Sequence, residues 1–184
     1  MHPTASTNFA VARIEMGPGA VLKVGANVVT ERIPGALRLV LGAGAHVEIG
    51  DRTWLRIEME PIHIAVFAGA RLVLGPDSWL SGCHLSAKHA ILCGRKAWIG
   101  NGCRVIDSDQ HDLDDVVKER GAPIAIGDNV WIPSDVTVLR GVTIGSNVVV
   151  GARSLVSHDV PDHTLVHGIP ARPHGKVGDR SQSP

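Results

Sequence analysis

The strongest constraint on this chain is a six-residue period in its C-terminal half. From Ile126 the sequence reads IGDNVW, IPSDVT, VLRGVT, IGSNVV, VGARSL, VSHDVP. The hexads open with Ile126, Ile132, Val138, Ile144, Val150 and Val156. Their fifth places hold Val130, Val136, Val142, Val148, Ser154 and Val160. A period of six fits neither a helix nor a simple two-faced strand. It fits a flat run followed by a corner, and three such runs close a triangular coil of 18 residues. Upstream the same beat links Cys93, Ile99, Val105 and His111, then Ile62, Ala68, Leu74 and Leu80. Ala43, Ile49 and Leu55 form a third group, Val24 and Val28 a fourth. Coil starts at 24, 43, 62, 80, 99, 126 and 144 give about seven coils, with intervals of 18 or 19 and one of 27. The nine surplus residues must leave the coil begun at Ile99, as a loop extruded after His111.

In such a prism each coil pairs its backbone with the coils above and below, so sheet edges remain only at the two ends. First-place side chains fill the axis, and fifth-place side chains sit inside the corners, where only small groups fit. Gly, Asn and Asp at the other places suit corner backbone angles. Aromatics are 3% of the chain, with no Tyr and two Phe, which matches a narrow core of Val, Ile, Leu and Ala. An ordinary β-sandwich with frequent turns is the competing reading, and strict spacing over 36 residues argues against it. The spacing does not set handedness.

The 184 residues suit one domain: a lead-in over 1–17, the prism over 18–166, and a closing segment with a frayed polar tail over 167–184. Eighteen basic residues balance eighteen acidic ones and no basic stripe is visible, so nucleic acid is not an expected partner. The N-terminus lacks the pattern of a signal peptide, and no apolar stretch reaches the length of a membrane span. Cys83, Cys93 and Cys103 show no paired spacing, so neither a disulfide framework nor a zinc knuckle is expected and the setting reads as cytoplasmic.

Residues 126–161, the segment HGIPAR (167–172) and the stretch WIGNGCRVIDSDQHD (98–112) together resemble the hexapeptide-repeat acyltransferases. That family includes galactoside, maltose and surface-polysaccharide O-acetyltransferases. The resemblance implies a left-handed parallel β-helix and homotrimers with active sites between neighbouring prisms, beside an extruded loop. It also implies acetyl-CoA as acyl donor and a saccharide acceptor.

Acyl transfer from a thioester needs a base for the acceptor proton, donors for the oxyanion, and a grip on the thioester. His111 is the candidate base, since neutral imidazole suits that task at physiological pH. The resemblance gives a loop histidine this role, by direct transfer without an acyl-enzyme. Asp107 and Asp109 precede it, as candidates to orient the imidazole or bind acceptor, or simply to solvate a loop. Strict phase would point His111 inward, so the loop must release it. Ser134 and Ala152 lie 18 apart on one ridge, and the resemblance places them at the thioester and pantetheine arm. It places Ser157 and His158 further along the arm, where relatives often carry Thr-Lys. Arg153, Arg172 and Lys176 are candidates for the coenzyme phosphates, and Arg153 could instead pair with Asp135.

Pro133 stands where relatives carry Gly and removes an N–H, which leaves Ser134 as the expected oxyanion donor. Ser86 to His89, notably Lys88 and His89, should line the acceptor side. Trp131 should point outward, into a cleft or a subunit interface, as should Trp54, Trp79 and Trp98. His84, His89 and His111 do not reproduce the three-histidine spacing of the related zinc enzymes, so no metal is expected. Two alternatives stand beside the O-acetyltransferase: N-acetylation of an amino sugar, free or nucleotide-linked, and a non-catalytic or metal-binding β-helix.

Overall fold

In the computed structural model, which describes residues 1–182, the chain winds as a left-handed parallel β-helix of three walls. The first wall stacks Arg13–Met16, Leu37–Leu41, Ile62–Val66, His84–Ala87, Arg104–Ile106, Thr137–Val138 and Leu155–Val156. The second stacks Val21–Val24, His46–Ile49, Arg71–Leu74, Ala90–Cys93, Ile124–Ile126 and Thr143–Ile144. The third stacks Val29–Thr30, Trp54–Arg56, Trp79–Ser81, Trp98–Ile99, Trp131–Ile132, Val149–Val150 and Thr164–Gly168, then closes with the antiparallel Ala171–Lys176. Every neighbour pair but that last one is parallel, as a coil that always advances the same way requires.

The hexads of the C-terminal half behave as the period demands. All six opening residues, from Ile126 to Val156, are buried, and so are all six fifth-place residues. The register step there is 18, as in Val138↔Val156 and Ile126↔Ile144.

The upstream half is built differently. Its step is 25, as in Leu39↔Ile64 and Val47↔Leu72, and shortens to 21 at Ile64↔Leu85 and 20 at Leu85↔Val105. Strands of four or five residues replace strands of two, so a wall can turn three side chains inward. Leu37, Leu39 and Leu41 do so together, then Ala45, Val47 and Ile49. The prism is therefore wide at its N-terminal end, where Leu and Ile fill it, and narrow where Val takes over. Each such buried aliphatic side chain contributes roughly 1.5–3 kcal/mol. Period two, not six, rules this half: Ala43 and Ala68, expected inside, sit exposed at corners.

The surplus in the loop-bearing coil is also larger than expected. Val105 pairs with Val138, a step of 33 against 18 below it, so fifteen residues leave the coil rather than nine. The excursion runs between Ile106 and Ile124 and contains His111 instead of following it.

Both ends depart from the expected boundaries. Arg13–Met16 is already the top strand of the first wall, inside the stretch read as a lead-in. Above it, a 3₁₀ turn over Thr7–Val11 buries Phe9, and the His2 and Ser6 amides donate to the Val24 and Val28 carbonyls. This segment covers the top of the column, where open sheet edges would otherwise face solvent. At the other end the tail is docked rather than frayed up to residue 182. The Val177 amide donates to His163 and the Arg180 amide to Asn147 Oδ1. The three cysteines are free and buried; burial pushes the Cys93 thiol up to about 12 and the Cys103 thiol to about 11. Among the described residues no helix is long and apolar enough to cross a membrane.

Candidate active site

The expected site residues fall on two different edges of the prism. The edge between the first and second walls carries Lys88 and His89, then Asp107 to His111, then Leu139 and Arg140, then Ser157 and His158. The edge between the third wall and the next first wall carries Asn101, then Ser134 and Asp135, then Ala152 and Arg153. The full width of the first wall separates the two.

On the first of these edges, the loop springs from a buried carboxylate. Asp107 is fully buried, and its two oxygens accept the backbone N–H groups of Lys88 (2.7 Å) and His89 (2.8 Å). It ties the loop-bearing coil to the coil above, so it is a structural group and not an acceptor ligand. The loop base is further closed by a Ser108↔Gly121 bridge, by Asp109 N–H on the Arg120 carbonyl (2.8 Å) and by Ala122 N–H on the Asp107 carbonyl (2.9 Å).

Lys88 and His89 are consumed in the same way. The Lys88 ammonium donates to Glu119 (2.8 Å) and to the Gln110 carbonyl (3.0 Å), and lies 5.0 Å from the centroid of the Phe67 ring. Lys88 holds the Glu119 carboxyl below the usual range. The His89 ring packs so closely on Gly121 that a Cβ there would collide with it. Ser86 and Ala87 are buried. The acceptor lining expected from Ser86 to His89 is therefore a clamp on the loop, because the extra residues need anchoring to the coil above.

Asp109 does not orient the imidazole. It accepts a hydrogen bond from Arg140 Nε at 2.6 Å, and that bond, more than the Coulomb attraction, holds its carboxyl below the ordinary range. The two line a small cleft of about 160 Å³ with Ser108, Leu139 and Ser157. Arg140 was missed as a site residue. The signal for it was its 18-residue spacing from His158 on the same ridge.

His111 is exposed and, among the described residues, neither hydrogen-bonded nor ion-paired. The loop does release it from the inward phase. Beyond it the loop tip exposes Leu113 (81%) and Val116 (87%), and Asp114 caps the turn by accepting the Val116 and Val117 N–H groups.

Ser157 and His158 contact each other, Oγ to Nδ1 at 3.0 Å, and the closing hairpin brings Arg172 within 3.4 Å of that same nitrogen. These three form one polar cluster at the lower end of the His111 edge. Lys176 does not join it: it sits opposite Thr164, at the far end of the strand that begins beside Arg172.

On the other edge, Ser134 and Ala152 are exposed and stacked, with the Arg153 N–H donating to the Ser134 carbonyl (3.0 Å). Among the described residues no backbone carbonyl accepts the Ser134 N–H. Arg153 lies 3.7 Å from Asp135, both largely exposed, so that guanidinium is only loosely committed.

Trp131 belongs to neither edge. It is the lowest member of an outward ladder on the third wall, in register with Trp98, Trp79 and Trp54. The Arg180 guanidinium of the tail lies 5.6 Å from its ring centroid. A substrate role beside His111 of the same chain is ruled out by that placement. His84, His89 and His111 do not converge either, since His84 faces outward beside His63 on the first wall. Among the described residues no three His, Cys, Asp or Glu side chains converge on a common point.

Comparison with known proteins matches residues 123–158 to the model of the bacterial transferase hexapeptide, six repeats. Those residues are the stretch whose register step is 18 and whose inward positions are all filled. Over that stretch the chain carries the hexapeptide repeat of bacterial transferases. Among curated proteins, a galactoside O-acetyltransferase of Escherichia coli is 47% identical over 60 residues, which is 33% of this chain and 30% of that one. A putative acetyltransferase of Schizosaccharomyces pombe is 52% identical over 59 residues, 32% of this chain and 28% of that one. The matched stretch thus spans about a third of this chain and of these relatives. Among solved structures, the polySia-specific acetyltransferase NeuO aligns over 95% of this chain and 92% of its own, with TM-score 0.70 and 21% identity, a likeness of fold. A hexapeptide-repeat acetyltransferase of Vibrio cholerae, solved with acetyl-CoA, covers 94% of this chain and 75% of its own at 25% identity and TM-score 0.58.

Proposed function

We propose that the protein is an acetyl-CoA-dependent acetyltransferase that acetylates a saccharide hydroxyl, working as a homotrimer with His111 as general base. The observation that carries this reading is a free imidazole on an extruded loop, within a hexapeptide prism whose small exposed Ser134–Ala152 ridge lies on a different edge. One chain cannot bring those edges together, because the first wall stands between them. A neighbouring prism rotated about a three-fold axis can present its ridge to the loop of the first. Closed cyclic symmetry then builds three equal sites.

In such a site the exposed His111 nitrogen removes the acceptor hydroxyl proton as the oxygen attacks the thioester carbon. The Ser134 N–H, which no backbone carbonyl among the described residues accepts, and the Ser134 hydroxyl would donate to the developing oxyanion. Collapse of the tetrahedral species breaks the C–S bond, and the imidazolium returns its proton to the departing thiolate. None of the three cysteines offers a nucleophile for an acyl-enzyme, since all are buried and burial raises their thiols. Ser157, His158 and Arg172 supply polar contacts to the coenzyme, with Arg172 and the loosely paired Arg153 as the phosphate-directed charges. Use of acetyl-CoA fits a cytoplasmic setting. The resident groups ask for no metal.

The test is transfer from acetyl-CoA to hydroxyl and amino sugars, with His111→Ala beside the parent. Turnover of the variant should fall by about 10²–10⁴ with coenzyme affinity kept. Normal turnover would remove His111 from the mechanism, and transfer to amino sugars alone would move the chain to the N-acetyltransferases.

A further inference from the structure

One row of outward side chains on the first wall carries an arginine or a histidine at each of its first five levels. Arg13 pairs in register with Arg38, Arg38 with His63, His63 with His84, and His84 with Arg104. The steps between them are 25, 25, 21 and 20 residues, so no fixed spacing betrays the row in the sequence, which shows no basic stripe. Strand spacing of about 4.8 Å makes the row roughly 19 Å long.

Like charges set directly opposite on a sheet destabilise it. Among the described residues this row is answered by carboxylates only at its top, where Glu15 takes Arg13 at 2.7 Å and Arg38 at 3.4 Å. Among the described residues, His63, His84 and Arg104 have no carboxylate partner. Arg38 Nε is buried without a hydrogen-bond acceptor. The rings of His63 and His84 stand 6.5 Å apart, at the side of a groove of about 240 Å³ lined by Arg38, Val40, His63, Ile64, Ala65 and His84. The neighbouring outward positions, Val40 and Ala65, give that groove a small apolar floor.

We infer that this face is a binding track for an acidic saccharide chain, which it leads to His111. The track offers one cation or imidazole per coil, spaced like the carboxylates of a polymer that bears one on each sugar. The apolar floor suits the C–H faces of sugar rings. A single-stranded nucleic acid would ask for broad aromatic faces between the charges, and among the described residues this row offers imidazoles but no Phe or Trp ring. Arg104, the lowest member, belongs to the strand that runs directly into the loop, so a chain lying along the row ends on the coil that carries the proposed base. The inference takes its acceptor role from the acetyltransferase reading, but binding along the track does not require catalysis.

The experiment measures binding of a labelled decamer of galacturonic acid to the full chain at low and high salt. A maltodecaose and a single-stranded oligonucleotide of equal charge serve as comparisons. The acidic glycan should bind, weaken with salt, and lose at least tenfold in affinity in the Arg38→Gln/Arg104→Gln double variant. The charge-matched control Lys23→Gln/Arg71→Gln, on the second wall, should bind as the parent does. Equal binding of maltodecaose, an oligonucleotide as tight as the glycan, or equal losses in both double variants would each overturn the track. Acetyl-CoA binding, measured on the same samples, separates the two ideas. If the glycan binds as expected and acetyl-CoA does not, the proposed function fails and the track stands.

Discussion

Asp107 offers a quantitative test of how the loop is held. Its side chain is sealed from solvent and makes two short, charge-assisted bonds to the Lys88 and His89 amides. Replacing it with Ala strands both N–H groups and leaves nothing in the corner to accept them. Hydrogen bonds to charged groups contribute about 1.5–3 kcal/mol each, so the pair amounts to roughly 3–6 kcal/mol. For a chain of this length each kcal/mol moves the melting point by about 2–4 °C, so Asp107→Ala should melt at least about 6 °C below the parent. Asp107→Asn retains one acceptor oxygen and turns an N–H₂ toward the other amide, so it should fall nearly as far. Urea unfolding and thermal scans measure both. Loss of the anchored corner should also lower turnover while coenzyme affinity stays near the parental value. A loss of less than about 1 kcal/mol would show that the carboxylate does not hold those amides, and the structural role given to it would be wrong.

Further predictions follow from the charges around the loop and the track. Arg140→Gln should bring the Asp109 carboxyl back toward its ordinary range, because the Arg140 hydrogen bond is the main cause of its depression; carbon-detected NMR titration reads this directly. An unmoved Asp109 would refute the pairing. Burial chiefly, then His63 and Arg104, hold the His84 imidazole below its usual value. The folded chain therefore takes up that proton less readily than the unfolded chain, and stability falls as pH drops below about 6.5 toward the folded value. The parent should lose more urea resistance between pH 7.5 and 5.5 than His84→Gln does, and equal losses would contradict the assignment. The His111→Ala comparison described above completes this set.

The narrow half of the fold was legible because a two-residue strand and a four-residue corner force a period of six, and every inward residue from Ile126 to Val160 obeys it. The wide half was not. There a wall turns three residues inward at period two, so Ile49 and Leu55, or Leu74 and Leu80, fall six apart by coincidence across a corner. The coil length of 25 was hidden behind that coincidence, and with it the alignment of Arg13, Arg38, His63, His84 and Arg104. His111 was legible as a loop residue, since a stutter in the metre has to leave the column. Asp107 and Lys88 were misread for a common reason. A carboxylate or ammonium near a loop reads as a ligand until the backbone groups it must satisfy are known, and those lie on another coil. Arg140 and Asp109 meet 31 residues apart, across the whole excursion, where no periodicity connects them.

The central claim is that the His111 edge of one copy meets the Ser134–Ala152 ridge of another. Mixing two inactive proteins tests it most directly. His111→Ala removes the base, and Ala152→Trp blocks the exposed ridge without touching the core. Co-refolded at equal amounts, the two should form mixed trimers in which about a quarter of the sites draw an intact loop from one copy and an intact ridge from its neighbour. Recovery of about a quarter of the parental turnover is the expected result. A mixture as inactive as either parent variant would place the base and the ridge within one chain, and would contradict the account.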